Sequence, residues 1–296
     1  MSFPIEHDEL HALEDRVQAA LRTRDDSALD VLGYGEVTLV LKLTTAQGAY
    51  ACKRLPVFPT AQRYERYQGT LADYLTKLGQ AGVSVAPTQL WERGLPDGRI
   101  IAYCVQQALP SERLCSRLLH TQPRSWATDF FKRFLDHVDR AVAPGLGLDA
   151  QAANWIDLDG ELTYLDVTTP LLRDARGREQ LDVPLFLTSL PWALRDAVRL
   201  TMSKSIFDKF YSTRGVLLDF LGNLYKERLD GLIAPFLELA NARLPVPITA
   251  EQVVSYYRGD ARMWELIQRL RKADRFWHGA VLRRTYPFLL PPDIDR

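Results

Sequence analysis

The sequence predicts an α+β fold in two lobes, a small antiparallel β-sheet lobe with one helix and a larger, mostly helical lobe. Three observations carry that prediction. Short β-branched and aliphatic runs, separated by turn residues, crowd the stretch from Asp30 to Gln107. A single helical pattern interrupts them at 60–80. From Pro110 onward helical patterns dominate, interrupted by an irregular stretch at 143–170. The predicted organisation is an N-terminal helix in 1–28, an N-lobe in 29–109 and a helical C-lobe in 110–296.

Residues 5–22 read as an amphipathic helix, with Leu10, Leu13, Val17 and Leu21 on one side and charges between them. Val31-Leu32 leads into Gly33-Tyr34-Gly35, and the run Glu36 to Leu43 is rich in β-formers. Thr44 to Gly48 is a turn and Ala49 to Leu55 a further strand, which makes a meander of about three strands. In 60–80, Tyr64, Tyr67, Leu71, Tyr74, Leu75 and Leu78 share one side of a helix that ends between Gly82 and Pro87. Thr88–Gly94 and Arg99–Gln107 form a second hairpin about the turn Leu95-Pro96-Asp97-Gly98. Helices follow at 111–119 and 125–142. Short strands at 155–158 and 162–165 flank Asp159-Gly160, a strong hairpin signal. Beyond Pro184 the chain reads as helical to about residue 280, broken by Pro191, Pro235, Pro245 and Pro247, with a proline-rich surface tail from Pro287.

Composition excludes several functions. The 296 residues carry 37 Lys+Arg against 37 Asp+Glu, so the electrostatic footprint of a nucleic-acid or polybasic membrane binder is missing. No apolar run reaches the roughly 18–20 residues that span a bilayer. Charges through the first 25 residues leave no signal-peptide core. Cys52, Cys104 and Cys115 are too few and too scattered for a disulfide framework, which points to a reducing, cytoplasmic setting. His7 and His11 stand four apart without further ligands, so they read as solvated surface rather than a metal site.

The chemistry-bearing residues occur in one order. Gly33-Tyr34-Gly35 sits at a strand turn, where glycine lets the backbone approach an anion. Lys53 lies in a strand that should be half-buried, so its ammonium needs an anionic partner or a path to water. Asp149 precedes Asn154 by five residues, and Asp166 ends the apolar run Leu162-Thr163-Tyr164-Leu165. Taken singly, each is a common turn glycine, a snorkelling lysine or a turn-capping aspartate.

Together, over 30–170, they resemble the protein-kinase-like superfamily, and most closely its aminoglycoside-phosphotransferase branch. Gly33-x-Gly35-x-x-Thr38-x-Val40 is similar to the glycine-rich loop, and Ala51-Cys52-Lys53 to the lysine strand. Gly147-Leu148-Asp149 to Asn154, followed by Asp166, is similar to the catalytic loop and metal-binding aspartate. The resemblance implies a kinase-like fold that uses ATP and Mg²⁺ to phosphorylate a hydroxyl of a small molecule. It implies nucleotide contacts from Gly33, Gly35, Val40, Ala51 and Lys53, with Glu65 (or else Asp73) pairing with the lysine and a hinge running from Gln106 through Gln107 to Leu109. Asn154 and Asp166 would hold the metal, and Asp149 would act on the acceptor hydroxyl.

Departures from the pattern keep two other readings open. Thr38 replaces the third loop glycine, no His or Arg precedes Asp149, and neutral Gln151 stands where the branch often carries a cation. Asp166 is followed by Val167-Thr168, and no Ala-Pro-Glu segment is present. One alternative is a pseudokinase that binds nucleotide and scaffolds a partner; the other is a binding protein without nucleotide. Near the end of the chain, Arg269, Arg271, Lys272, Arg275, Arg283 and Arg284 form a basic cluster, read as a solvated face or a patch for an anionic partner. Trp264, Phe276, Trp277, Tyr256 and Tyr257 read as core.

Overall fold

Strand alternation organises the first half of the chain. The structure, a computed structural model, describes residues 3–34, 39–189, 207–281, 283 and 286. Strands β1 (Val31–Tyr34), β2 (Leu39–Thr45), β3 (Gly48–Arg54), β5 (Thr88–Gly94) and β6 (Ile100–Gln107) form one antiparallel sheet in the order β1-β2-β3-β6-β5. Side chains alternate between its faces. Leu41, Leu43, Tyr50, Cys52, Ile101, Tyr103 and Val105 point outward, where helix α1 (His7–Thr23) covers them with Leu10, Leu13, Val17 and Leu21. That helix starts at a capping box in which Glu6 and Glu9 satisfy each other's backbone N–H groups.

The ion pair under α1 is nearly enclosed. Arg54 donates from Nε and Nη2 to the two carboxylate oxygens of Glu14, both at 2.9 Å, and the Glu14 side chain is 0% exposed. Tyr103 and Gln18 donate to the same carboxylate. His7 and His11 are not free surface rings: Trp91 Nε1 donates to His7 Nδ1 at 3.0 Å, and His11 meets Trp91 edge-on.

Helix α2 (Ala61–Gln80), capped by Thr60, turns Tyr64, Tyr67, Leu71, Tyr74 and Leu78 into the second core. Those side chains share it with Leu55, Phe58, Ala102 and Cys104 from the sheet. The same core runs on into Phe130, Phe131, Phe134 and Val138 of α4 (Arg124–Ala141) without a break. Strand β4 (Ser84–Val85) was not foreseen, since two residues carry no period. It pairs in parallel with β8 (Glu161–Tyr164), whose other neighbour is β7 (Trp155–Leu158). Asp159 and Gly160 join β7 to β8 with φ of 56° and 97°, the left-handed conformation that a two-residue hairpin turn requires.

Short helices α3 (Cys115–Thr121) and α5 (Val183–Phe186) complete the middle of the chain. Then come α6 (Thr213–Lys226), α7 (Ile233–Asn241) and α8 (Ala250–Ala280). Aromatic contacts join α6 and α7 to α4: Phe131 stacks on Phe236 at 4.2 Å and Phe134 meets Phe220, tilted, at 4.4 Å between ring centroids.

Two expectations for this half are corrected. Pro235 does not break a helix; it sits in the first turn of α7, where its missing N–H removes no helical bond. Phe276 and Trp277 are not core, being 70% and 47% exposed, because the side of α8 that is buried in those turns is the one carrying Arg271 and Asp274. Trp264, Tyr256 and Tyr257 are half-buried. Pro191, Gly35, Thr38, Arg284 and the tail from Pro287 lie outside the described residues.

Candidate active site between the sheet and the helical part

Period-two alternation sends neighbouring cations of β3 to opposite faces: Arg54 outward to Glu14, Lys53 inward. The register places Val40 and Cys104 directly beside Lys53, Lys42 and Gln106 beside Ala51, and Val40 beside Gly33. Gly33, Val40, Ala51 and Lys53 therefore share the inner face. Gly33 follows a bulge in β1, and a Cβ added there would meet nothing within 4 Å. Its glycine is dictated neither by crowding nor by a left-handed backbone.

Lys53 Nζ reaches across 113 residues of sequence to donate to Asp166 Oδ1 at 3.2 Å, and to the Leu165 carbonyl at 3.3 Å. The lysine side chain is 13% exposed and the aspartate 35%. Burial pushes the Asp166 carboxyl up, but the Lys53 charge and the Thr168 hydroxyl overcome it and hold the group below its ordinary value. Thr168 Oγ1 donates to the same Oδ1 at 2.9 Å.

The supports of this pair come from three elements. Gln106 Nε2, inside β6, donates to both Leu165 O and Thr88 Oγ1 at 3.0 Å, so the Leu165 carbonyl accepts from Lys53 and Gln106 together. Leu165 N donates to Asn154 O at 2.9 Å, which fastens the segment before Asp166 to the loop carrying Asp149. Asn154 Nδ2 and the Tyr164 hydroxyl both donate to the Asp149 carbonyl, at 3.0 and 3.1 Å, and Asp149 itself is half-buried.

Helix α2 supplies the rest. Tyr74 donates to the Gly147 carbonyl at 3.1 Å and Tyr67 to the Thr168 carbonyl at 3.0 Å. Position 147 has no room for a side chain: a Cβ would lie 3.0 Å from Leu171 Cβ and 3.1 Å from both Phe210 O and the Tyr211 ring.

Glu65 is not brought to Lys53. It is exposed, as is Asp73, because the face of α2 that meets the sheet is set by Tyr64, Tyr67, Leu71 and Tyr74. Asp166 takes the place of the expected helix carboxylate as the partner of Lys53. Gln107 is exposed and Leu109 half-buried at the end of β6, where Ala108 N donates to Ala49 O at 2.9 Å.

Sequence reasoning placed Gln106 in the hinge but missed its side-chain bond to Leu165, and it missed Tyr67, Tyr74, Tyr164 and Thr168 as site supports. The tyrosines carried a signal, since a buried phenol needs an acceptor. Gln106 carried a weaker one, as a polar residue ending an apolar strand.

The donor set suits a hard divalent ion. Among the described residues, no group of three or more His, Cys, Asp or Glu is placed to hold a metal. Asp166 and Asn154 offer one carboxylate and one amide oxygen from adjoining backbone segments. Mg²⁺ uses such a sparse set when phosphates and water fill its remaining positions.

Fold and site together define an α+β chain in which an antiparallel sheet presents a lysine to an aspartate of the helical part. The chain belongs to a family of unknown function (DUF6206), whose model matches residues 12–275. No curated protein matches it. Among solved structures, the chain is similar to WaaP in complex with acyl carrier protein, at 16% identity and a TM-score of 0.32, with 76% of this chain and 90% of that one covered.

Proposed function

We propose that the chain is a kinase-like phosphotransferase that moves the γ-phosphate of ATP to a hydroxyl of a small molecule. The observation that carries this reading is the Lys53–Asp166 contact at 3.2 Å, made next to the Asp149–Asn154 loop. On this reading the inner face of the sheet receives the nucleotide. Val40 and Ala51 line the adenine, Gly33 and Gly35 let the backbone near the phosphates, and the backbone from Gln106 to Leu109 meets the base edge. Lys53 binds phosphate oxygens.

Mg²⁺ held by Asn154 and Asp166 would neutralise phosphate charge. Asp149 orients the acceptor hydroxyl and takes its proton as the oxygen bonds to the γ-phosphorus and the bond to the departing ADP oxygen breaks.

Thermal unfolding with and without Mg-ATP tests the reading. Ligand at about 100 times its Kd stabilises the fold by about 2.7 kcal/mol. That shift is expected in the wild type and lost in Lys53→Met and Asp166→Ala. Asp149→Ala should keep the shift and lose ATP turnover by about 100-fold or more. No shift at millimolar Mg-ATP would refute the proposal.

Neutral Gln151 and the exposed Glu65 favour a second reading, a pseudokinase that binds nucleotide and scaffolds a partner. It expects the shift, with turnover in the wild type no higher than in Asp149→Ala.

A further inference from the structure

The proposed reaction makes no use of an ion pair sunk into the helical part. Lys209 Nζ donates to Asp219 Oδ1 and to the Tyr256 hydroxyl, both at 2.7 Å, and that hydroxyl donates to the same carboxylate oxygen. The Lys209 side chain is 27% exposed and that of Asp219 only 4%. A buried ion pair is often no better for stability than an apolar filling of the same space, so stability alone does not account for the three. Their surroundings are tight. Asp219 and Tyr256 come from α6 and α8, which meet so closely that a Cβ on Gly222 would lie 2.6 Å from the Tyr256 ring. A Cβ on Gly215 would lie 2.3 Å from the Lys209 carbonyl oxygen, so the turn Lys209–Tyr211 has no room to slide toward α6.

The turn held in this way abuts the loop of Asp149. The Phe210 carbonyl accepts from Leu148 N at 3.0 Å, one residue before Asp149. The Tyr211 ring packs on Gly147 and lies under the Arg173 guanidinium at 3.9 Å, and its hydroxyl donates to Glu179 at 2.6 Å. Asn154 and Tyr164 fasten Asp149 at its own carbonyl; Phe210 fastens the chain on the other side, at Leu148. We propose that Lys209 is a positioning residue for Asp149. By tying the turn to Asp219 and Tyr256 it keeps the Phe210 carbonyl where it fixes Leu148, and so sets the approach of the Asp149 carboxylate to the acceptor hydroxyl. This role rests on the phosphotransferase reading of Asp149.

Amide hydrogen exchange and steady-state kinetics on the full chain decide the matter. In Lys209→Met the Leu148 amide should exchange about tenfold faster or more. Turnover should fall by about 30–100-fold, since a misplacement of about 1 Å costs on the order of 100-fold. KM for ATP should stay within about twofold, because Lys53 and Asp166 take their support from Gln106 and Thr168. Adding Asp219→Leu removes the stranded carboxylate, so the thermal midpoint should return toward that of the wild type while Leu148 exchange and turnover stay impaired. A role confined to stability would restore all three together. The double variant also serves where Lys209→Met alone does not fold. Unaltered Leu148 exchange, or turnover that recovers with the midpoint, overturns the proposal. A wild type without turnover counts against the phosphotransferase reading alone, and Leu148 exchange still decides whether Lys209 holds the loop.

Discussion

Single residues at the site act less as isolated charges than as fixed points for backbone. Tyr74 ties its helix to the Gly147 carbonyl, two residues before Asp149. Tyr74→Phe keeps the ring and strands that carbonyl, so a loss of about 1–3 kcal/mol is expected in denaturant unfolding. Gly147→Ala should cost about 1–3 kcal/mol as well, because two of its three close neighbours belong to backbone or to a packed leucine. On the other side of the sheet, burial pushes the Glu14 carboxyl up, but the hydrogen bonds and charge of Arg54, with Tyr103 and Gln18, hold it below the ordinary 4.5. A lowered folded value means that Glu14 stabilises the fold above pH 4.5 and that this contribution fades as pH falls through the lower folded value. Glu14→Gln should therefore flatten the acid limb of a stability profile. Near neutrality it should cost about 3–5 kcal/mol, because Arg54 stays enclosed without its counter-charge.

At the scale of elements, α1 and α2 are both amphipathic helices on one sheet, and they do different jobs. Helix α1 seals the outer face. A chain truncated before residue 25 would bare Leu41, Leu43, Tyr50, Cys52 and Tyr103, and it is expected to bind a hydrophobic dye and to aggregate. Thr249→Ala, which removes the cap that accepts from Gln252 N, should cost about 1 kcal/mol, read as a lower thermal midpoint. Apart from the two-residue β4, the strands and helices up to Tyr164 were legible in the sequence because each has a clean period or a turn of fixed chemistry, such as Asp159-Gly160. The candidate site was legible as residue types in order, Lys53, Asp149, Asn154 and Asp166, since spacing along the chain is what a sequence displays. Its supports were not, since Gln106 to Leu165 and Tyr67 to Thr168 join residues 59 and 101 apart in the chain. Glu65 was a misreading that the helical period could have prevented: one residue from buried Tyr64, it is turned about 100° from the inward face. Phe276 and Trp277 misled for another reason, because aromatic content suggests burial, while the tertiary structure buries the side of α8 that carries Arg271 and Asp274.

For the whole molecule, the decisive feature is that one apolar core passes from beneath the sheet, through the tyrosine face of α2, into α4 and α6. Parts that share a core lose it together, so thermal unfolding is expected to be a single transition with equal calorimetric and van't Hoff enthalpies. Two separate transitions would mean that the sheet and helical parts melt independently. Strand β3 adds a constraint of its own. Adjacent residues in it, Lys53 and Arg54, hold opposite sides of the molecule: one meets Asp166, the other Glu14. A slip by one position would exchange them, leaving a forked guanidinium where a slim ammonium fits and Glu14 facing a group unable to grip both its oxygens. The strand thus proofreads its own alignment, and misaligned chains are penalised on both sides at once.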